Sequence, residues 1–574
     1  MSDRSPTPLA LKLPVRRARM VLLGLLLAFT GLGIRAAVLQ VVEQDSLQAQ
    51  GHKRHLRVVE LPAHRGTITD RHGTPLALST PMESVMYSPT QGNAVDEGQR
   101  SALARELEMD RRDLDVRLAH TRGVHMLRRQ LSPDRAARVR ALGVTGIFTR
   151  TEPRRYYPAG DVLAHVVGFT DVDERGREGM ELALDQVLSG QPGSRRVIQD
   201  PRGRVIDDLA GIVEPRQGRE VALSIDLDLQ YVATRELRAA VAEHRAEAGS
   251  AVVVDAATGE ILALANVPTY NPNNRSAYDV TRARNRAVTD QFEPGSTMKP
   301  FTLAMALESG RYRPESMVDT GRGALTVGKS TIHDHEGHGR VTLAEVLQKS
   351  SNVGTVRVAL SLPARSLWQV WTEAGFGTPT GLGFPGEAAG RVRDPSTWRP
   401  VEHATMSYGH GVSVSLLQLV RAYSVFRGDG HLLPVSLLRR GDVPEGEPAM
   451  SATTSTAMRD MLELVTQKGG TAPQARIPGY RVAGKTGTAR KVVGRGYEQG
   501  KYVANFIGFA PASQPRLLVG VAIDSPSAGR YYAGEVAAPV AARILGAALR
   551  ALNVPHDLPL DAPPVPVASQ PEET

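Results

Sequence analysis

The sequence predicts an α+β protein: an N-terminal transmembrane helix, an elongated mixed α/β pedestal, and a large domain of mixed antiparallel sheet packed with helices. Three observations carry that reading. One apolar run near the N-terminus is long enough to cross a bilayer. The stretch after it alternates short apolar runs with turn signals. Beyond residue 218, strands and helices mix without a strict βαβ rhythm, which points away from a purely parallel sheet. At 574 residues the chain holds several folding units. Its 41% apolar and 22% charged content is that of a globular protein.

The net charge is +9 and the pI is about 9.7. A basic balance favours an anionic partner such as a membrane or an acidic polymer. The basic residues are spread along the chain and not gathered in one run, so no nucleic-acid partner is assigned. The absence of cysteine excludes disulfides, thiolate metal sites and a Cys nucleophile.

Residues 1–19 form a basic tail, with Arg4, Lys12, Arg16, Arg17 and Arg19 against Asp3. The membrane helix follows over Met20–Val42, interrupted by Arg35. The positive flank predicts a cytoplasmic N-terminus and an exported remainder. A cleaved signal peptide is disfavoured, because cleavage after Ala37 would put Arg35 where a small residue belongs. Arg35 reads as snorkelling to the interface or as facing a partner helix.

Residues 43–218 read as a non-catalytic pedestal. His64–Gly73 predicts strand, turn, strand, with Gly66 and Gly73 as punctuation. Ser101–Leu118 predicts one charged amphipathic helix opened by a Ser101 cap. A turn-rich stretch runs from Tyr157 to Gly203.

The large domain spans residues 219–552. Val221–Asp226 reads as a strand and Leu229–His244 as a helix. Ser250–Asp255 and Glu260–Ala265 read as a hairpin joined by Ala257-Thr258-Gly259. From Asn553 the chain is Pro-rich and acidic, the composition of a disordered tail.

Three short elements carry chemistry. In Glu293-Pro294-Gly295-Ser296-Thr297-Met298-Lys299-Pro300, Ser296 and Lys299 share one helical face. Pro294 and Gly295 break the chain, so Ser296 stands at a helix start, and Pro300 fits the first turn. A serine hydroxyl needs a base to become a nucleophile. A buried lysine with a lowered pKa is such a base, and a helix N-terminus favours negative charge at Ser296. In Ser350-Ser351-Asn352, Ser350 can relay a proton and Asn352 offers a donor and an acceptor to a substrate amide. In Lys485-Thr486-Gly487-Thr488, an edge strand would point Lys485 into the site. Gly487 would then let substrate backbone approach, and Thr486 and Thr488 would bind a carboxylate. The N–H groups of Ser296 and Thr488 are placed to form an oxyanion hole. Each element alone is modest; the three in this order form a specific set.

Two other patterns compete. Gly479–Thr486 matches the phosphate-binding G-x-x-x-x-G-K-T pattern, but Gly487 is poor for the helix that pattern needs. His333, His335 and His338 have metal-like spacing, yet Gly337 stands where a further ligand would be expected. An exposed polar loop is the plainer reading, and no metal or cofactor is assigned.

With these residues in place, the chain closely resembles a class B penicillin-binding protein. The likeness includes Arg65–Arg71, Tyr157–Gly160, Ala164–Phe169, Arg284–Ala287, Ser407–Gly411 and Leu416–Leu419. Ser350–Gly354 and Ala483–Ala489 are similar to the septal, penicillin-binding protein 3 type, whereas elongation enzymes usually carry an acidic residue where Asn352 stands. Ala533 in Tyr531–Gly534 departs from the family's more usual Gly. The resemblance implies a penicillin-binding, serine β-lactamase-like transpeptidase fold. It implies D,D-transpeptidation of peptidoglycan pentapeptides, acylation by β-lactams, and a septal glycosyltransferase of the polytopic membrane family as partner, with other division proteins. An elongation-type class B transpeptidase, a serine β-lactamase and a non-catalytic β-lactam-binding scaffold or sensor are the rival readings.

Overall fold

The computed structural model describes residues 15–44, 56–89, 95–121, 123–199, 205–274, 278–494 and 496–560. It contains two compact units, Met1–Ala63 with Gly190–Gln217, and His64–Ser189 with Gly218–Thr574. Most of the basic tail, part of the turn-rich stretch near Gly203, and residues 561–574 of the expected tail lie outside the described residues.

In the first unit, a helix over Val15–Ala37 runs on through a π turn at Val38–Val42. Among the described residues it is the one helix long and apolar enough to cross a membrane, and none of it is buried. It begins inside the basic flank, with Arg16, Arg17 and Arg19 in its opening turns. Arg35 has a local partner: its guanidinium lies 3.8 Å from the Glu43 carboxylate. The same unit holds a three-stranded antiparallel sheet, with Gly193–Gln199 between Leu56–Leu61 and Val205–Val213.

In the second unit, the strand Pro75–Tyr87 pairs antiparallel with His125–Leu131 on one side and Ile147–Tyr156 on the other. One face of this sheet buries Val85, Tyr87 and Leu127 with Leu103, Leu114 and Val139 from the adjoining helices. The expected single helix over Ser101–Leu118 is two helices, Glu97–Glu106 and Arg111–Leu118. Asp96 caps the first, its side chain accepting from Gln99 N–H, and Asp110 caps the second. Glu108, at φ 49°, makes the break. Ser101 is therefore interior, bonded to the Glu97 carbonyl, and opens nothing.

The larger sheet has five antiparallel strands in the order Ile261–Val267, Ala248–Asp255, Leu517–Asp524, Gly496–Ala510, Ala483–Val493. Ala248–Asp255 is buried at every residue, as a strand covered on both faces must be. A Cβ on Gly249 would meet Leu237 and Val241 of the helix Leu227–Glu243. A Cβ on Gly520 would meet Val420 and Leu416 of the helix Leu416–Tyr423, on the other face. Only Val221–Ala222 of the expected strand Val221–Asp226 is strand; Asp226 instead caps Leu227–Glu243, accepting from Leu229 N–H. The start of the expected tail is packed: His556 stacks on Tyr480 at 4.6 Å, and Asp557 accepts from Arg481 N–H at 2.7 Å.

Candidate active site

Ser296 stands in a 3-10 turn, Gly295–Met298, that feeds the helix Lys299–Glu308. Lys299 is the first residue of that helix, three residues on from Ser296, and its amine is hydrogen-bonded to Ser350. The helix is buried on all sides from Lys299 to Ala306, which fixes the turn from below. Tyr423 donates to the Thr297 carbonyl at 2.8 Å, and Thr302 to the Ser407 carbonyl at 2.6 Å. Gly295 has φ 60°, open to glycine at no steric cost. Ser296 itself is partly exposed.

Ala483–Val493 is the sheet's edge strand, and Lys485 pairs with Ile507 in it. The alternation of a strand puts Lys485 and Gly487 on one face and Thr486 and Thr488 on the other. Gly487 has a role beyond the one its sequence position predicts: a Cβ there would lie 2.4 Å from the Pro294 carbonyl. Its missing side chain lets the turn that carries Ser296 approach the strand. The Thr486 hydroxyl meets Thr471 at 2.7 Å, and Thr488 Oγ1 accepts from Ala533 N–H at 3.0 Å. The strained P-loop reading ends here, since Lys485 and Thr486 are strand residues with no helix after them.

Ser350 lies between the helix Leu343–Gln348 and the helix Asn352–Leu360. Its N–H bonds the Leu347 carbonyl and Ser351 N–H bonds the Val346 carbonyl. That pattern is a Schellman ending, which asks for a left-handed residue. Ser350 supplies it at φ 58°, a conformation usually left to glycine. The retained side chain is the reason: Ser350 Oγ accepts from Lys299 Nζ at 3.1 Å and from Lys485 Nζ at 3.0 Å. Lys299 also donates to the Ser350 carbonyl, and Lys485 to the Thr486 carbonyl at 3.2 Å.

Both lysines are 0% exposed. Burial pushes Lys299 down to about 7, against the opposing pull of the Asp334 charge. Burial, with the neighbouring Lys299 charge, pushes Lys485 well below its ordinary value. The site therefore holds a lysine that is a base near neutrality, one hydroxyl away from a second depressed lysine.

Asp334 is the functional residue the sequence hides. It belongs to the His333–His338 run, but its carboxylate accepts from the Ser351 hydroxyl at 2.6 Å, from Val353 N–H at 2.9 Å, and from Asn352 N–H. Asn352 Nδ2 donates to the His333 carbonyl at 2.9 Å. The loop therefore works as a cap on the Ser350–Asn352 segment, and the acid between the histidines is spent on backbone and hydroxyl donors. Asn505 carries no local signal in the sequence, and the part Gly409 plays here is not visible from its motif. Asn505 donates to the Pro294 carbonyl at 3.3 Å, and a Cβ on Gly409 would lie 2.2 Å from the Gly295 carbonyl.

Residues 249–546 match the penicillin binding protein transpeptidase domain, and residues 60–223 match the penicillin-binding protein dimerisation domain. Peptidoglycan D,D-transpeptidase FtsI of Escherichia coli (strain K12) is 42% identical over 539 residues, 93% of this chain and 91% of the relative. Probable peptidoglycan D,D-transpeptidase PenA of Neisseria meningitidis serogroup A is 40% identical over 550 residues, 95% of this chain and 94% of the relative. The apo transpeptidase domain of Burkholderia pseudomallei penicillin-binding protein 3 is 46% identical with a TM-score of 0.55, covering 59% of this chain and 98% of that one. Penicillin-binding protein 3 of Mycobacterium tuberculosis, complexed with aztreonam, is 29% identical with a TM-score of 0.67, covering 88% and 99%.

Proposed function

We propose a reaction on one premise: the chain belongs to the penicillin-binding protein transpeptidase family. It is a serine-type peptidoglycan D,D-transpeptidase, and the one long apolar helix among the described residues, at the N-terminus, is its membrane anchor. Within that class the reading is a septal enzyme. Its N-terminus is cytoplasmic, residues 43–218 are a non-catalytic pedestal, and residues 219–552 are the catalytic domain. Its partners are a polytopic septal glycosyltransferase and other division proteins. The name and 42% identity of the Escherichia coli relative support the septal assignment.

The observation that carries the mechanism is Ser350 Oγ bridging two buried lysines, at 3.1 and 3.0 Å. Lys299, poised near neutrality by burial, takes the Ser296 proton. Ser296 Oγ attacks the carbonyl of the penultimate D-Ala of a pentapeptide stem. The oxyanion rests on the N–H groups of Ser296 and Thr488; the turn and the strand are neighbours, since a Cβ on Gly295 would lie 3.6 Å from the Thr488 carbonyl oxygen. The terminal D-Ala leaves with the proton Lys299 took from Ser296, passed on through Ser350 and Lys485, so the half-reaction neither gains nor loses a proton. Asn352 orients the substrate amide, and Thr486 and Thr488 receive its carboxylate. An amine of a second stem then resolves the acyl-enzyme, which makes the kinetics ping-pong.

The test is intact mass after benzylpenicillin, on full-length wild type and Ser296→Ala. A lasting penicilloyl adduct on wild type alone is the expected result. Turnover of the drug without a lasting adduct would indicate a β-lactamase, and no reaction would remove Ser296 as nucleophile.

A further inference from the structure

A second polar cluster touches the nucleophile turn and has no part in acylation. Glu293 stands three residues before Ser296. Its Oε1 accepts from Gly411 N–H at 2.7 Å, and its Oε2 accepts from the Tyr497 hydroxyl at 3.0 Å. His410 Nδ1 lies 3.6 Å from that Oε2. The Glu293 side chain is 11% exposed and that of His410 is 33% exposed, so the pair is sheltered yet reachable. The loop that carries His410 is locked to the turn, since Gly409 sits directly on the Gly295 carbonyl and Gly295 N–H bonds the Gly409 carbonyl at 3.3 Å.

We infer that Glu293 and His410 form the subsite for the acceptor amine of the second half-reaction: Glu293 holds the incoming primary ammonium, and His410 takes one of its protons. The inference rests on the Ser296 acyl-enzyme proposed above. The charge argues for a cation. Among the described residues no Lys or Arg makes an ion pair with Glu293, although its carboxylate is largely buried. A sheltered carboxylate with spare lone pairs is complementary to an ammonium. The Tyr408 and Tyr497 rings stand 5.2 and 6.4 Å from His410 and place aromatic rings, which suit a cation, beside the pair. The groups facing His410 are Glu293, Tyr408, Tyr497, Lys299 and Arg490. Burial, with the Lys299 and Arg490 charges, holds His410 below its ordinary value despite the opposing Glu293 carboxylate; it is the 3.6 Å approach of Nδ1 to Glu293 Oε2 that puts the imidazole beside the bound ammonium.

The step balances as follows. The ammonium gives one proton to His410, and the freed lone pair attacks the ester carbon of the acyl-enzyme. A C–N bond forms. As the adduct collapses, the C–Oγ bond breaks, and Ser296 Oγ leaves with the second nitrogen proton, passed through Lys299. His410 then returns its proton to solvent. Overall, ammonium and acyl ester become amide, serine and one proton.

The test uses the full-length chain in detergent with a benzoyl-D-alanyl thioester donor. Two acceptors compete with water: Nα-acetyl-lysine, a cation, and hydroxylamine, neutral at the assay pH. Glu293→Gln keeps an acceptor for Gly411 N–H and a polar contact to Tyr497 but removes the charge. It should lower the aminolysis-to-hydrolysis ratio for Nα-acetyl-lysine by about 10-fold or more, and raise that acceptor's KM, while the hydroxylamine ratio moves far less. A merely structural role for Glu293 predicts no such split, and an unchanged ratio overturns the proposal. If the variant fails to fold, wild type decides. Saturation by Nα-acetyl-lysine well below the concentration needed for hydroxylamine supports the subsite, and equal behaviour of the two overturns it. Absence of acyl-enzyme in wild type would instead sink the Ser296 reading beneath it.

Discussion

Two regions of the larger unit bury charged side chains, and they do it in opposite ways. Around Arg65, three charged residues are almost completely enclosed: Arg65 5%, Arg155 3% and Glu181 0% exposed. Every charge there has a partner. Glu181 accepts from Arg65 Nε at 2.7 Å and from Arg155 Nε at 2.6 Å, and Asp185 accepts from Arg65 at 2.7 Å. Burial alone would lower Arg65, yet Glu181 and Asp185 hold it above its ordinary value. Around Ser350, Lys299 and Lys485 are equally enclosed, with no carboxylate in ion-pair contact among the described residues. There burial wins, and both lysines are pushed down. The difference teaches where to look for chemistry: burial with a partner keeps a charge and builds structure, whereas burial without one removes the charge and makes a base.

That contrast can be broken from either side. The largest effect belongs to Lys299→Gln, which should cut benzylpenicillin acylation by about 10³-fold while the protein still folds. Stopped-flow or mass-resolved acylation rates measure it; a loss under about 10-fold would mean another base serves. Next comes Glu181→Ala, which strands two buried guanidinium groups and should cost about 3–5 kcal/mol in chemical denaturation. The acylation rate of the folded fraction should hardly move. If acylation fell as sharply as for Lys299→Gln, the division between structural and chemical burial would collapse. The smallest effect sharpens the picture at Ser350, where a hydroxyl and a left-handed backbone compete. Both Ser350→Ala and Ser350→Gly should lose the relay. The glycine variant should be the more stable of the two by about 1 kcal/mol, because only it adopts φ 58° without strain. Equal stabilities would mean that the strain is absent.

The sequence made the chemistry legible wherever the signal is local. Ser296 and Lys299 are three residues apart, and the Lys485 strand and the Ser350 helix end announce themselves by composition. It failed where the partner is distant or the local pattern is ambiguous. Arg65 and Glu181 are 116 residues apart, so nothing near either predicts their pairing. Asp334 reads as part of a histidine cluster until the fold brings it onto the first N–H groups of the helix at Asn352. The run Ser101–Leu118 has continuous helical character, and the break at Glu108 follows from a second cap, Asp110, inside it. Gly487 was legible as a place of close approach, but what approaches it in the folded chain is the turn that carries Ser296, through the Pro294 carbonyl.

The central claim is that Lys299 titrates near neutrality because it is buried with no carboxylate in ion-pair contact. The pH dependence of the second-order rate of benzylpenicillin acylation tests it most directly. The deprotonated lysine is the active form, so the rate should rise with pH through a limb centred at about 7 and level off above it. A flat profile through that limb, or a limb near the ordinary lysine value of 10.5, would contradict the account.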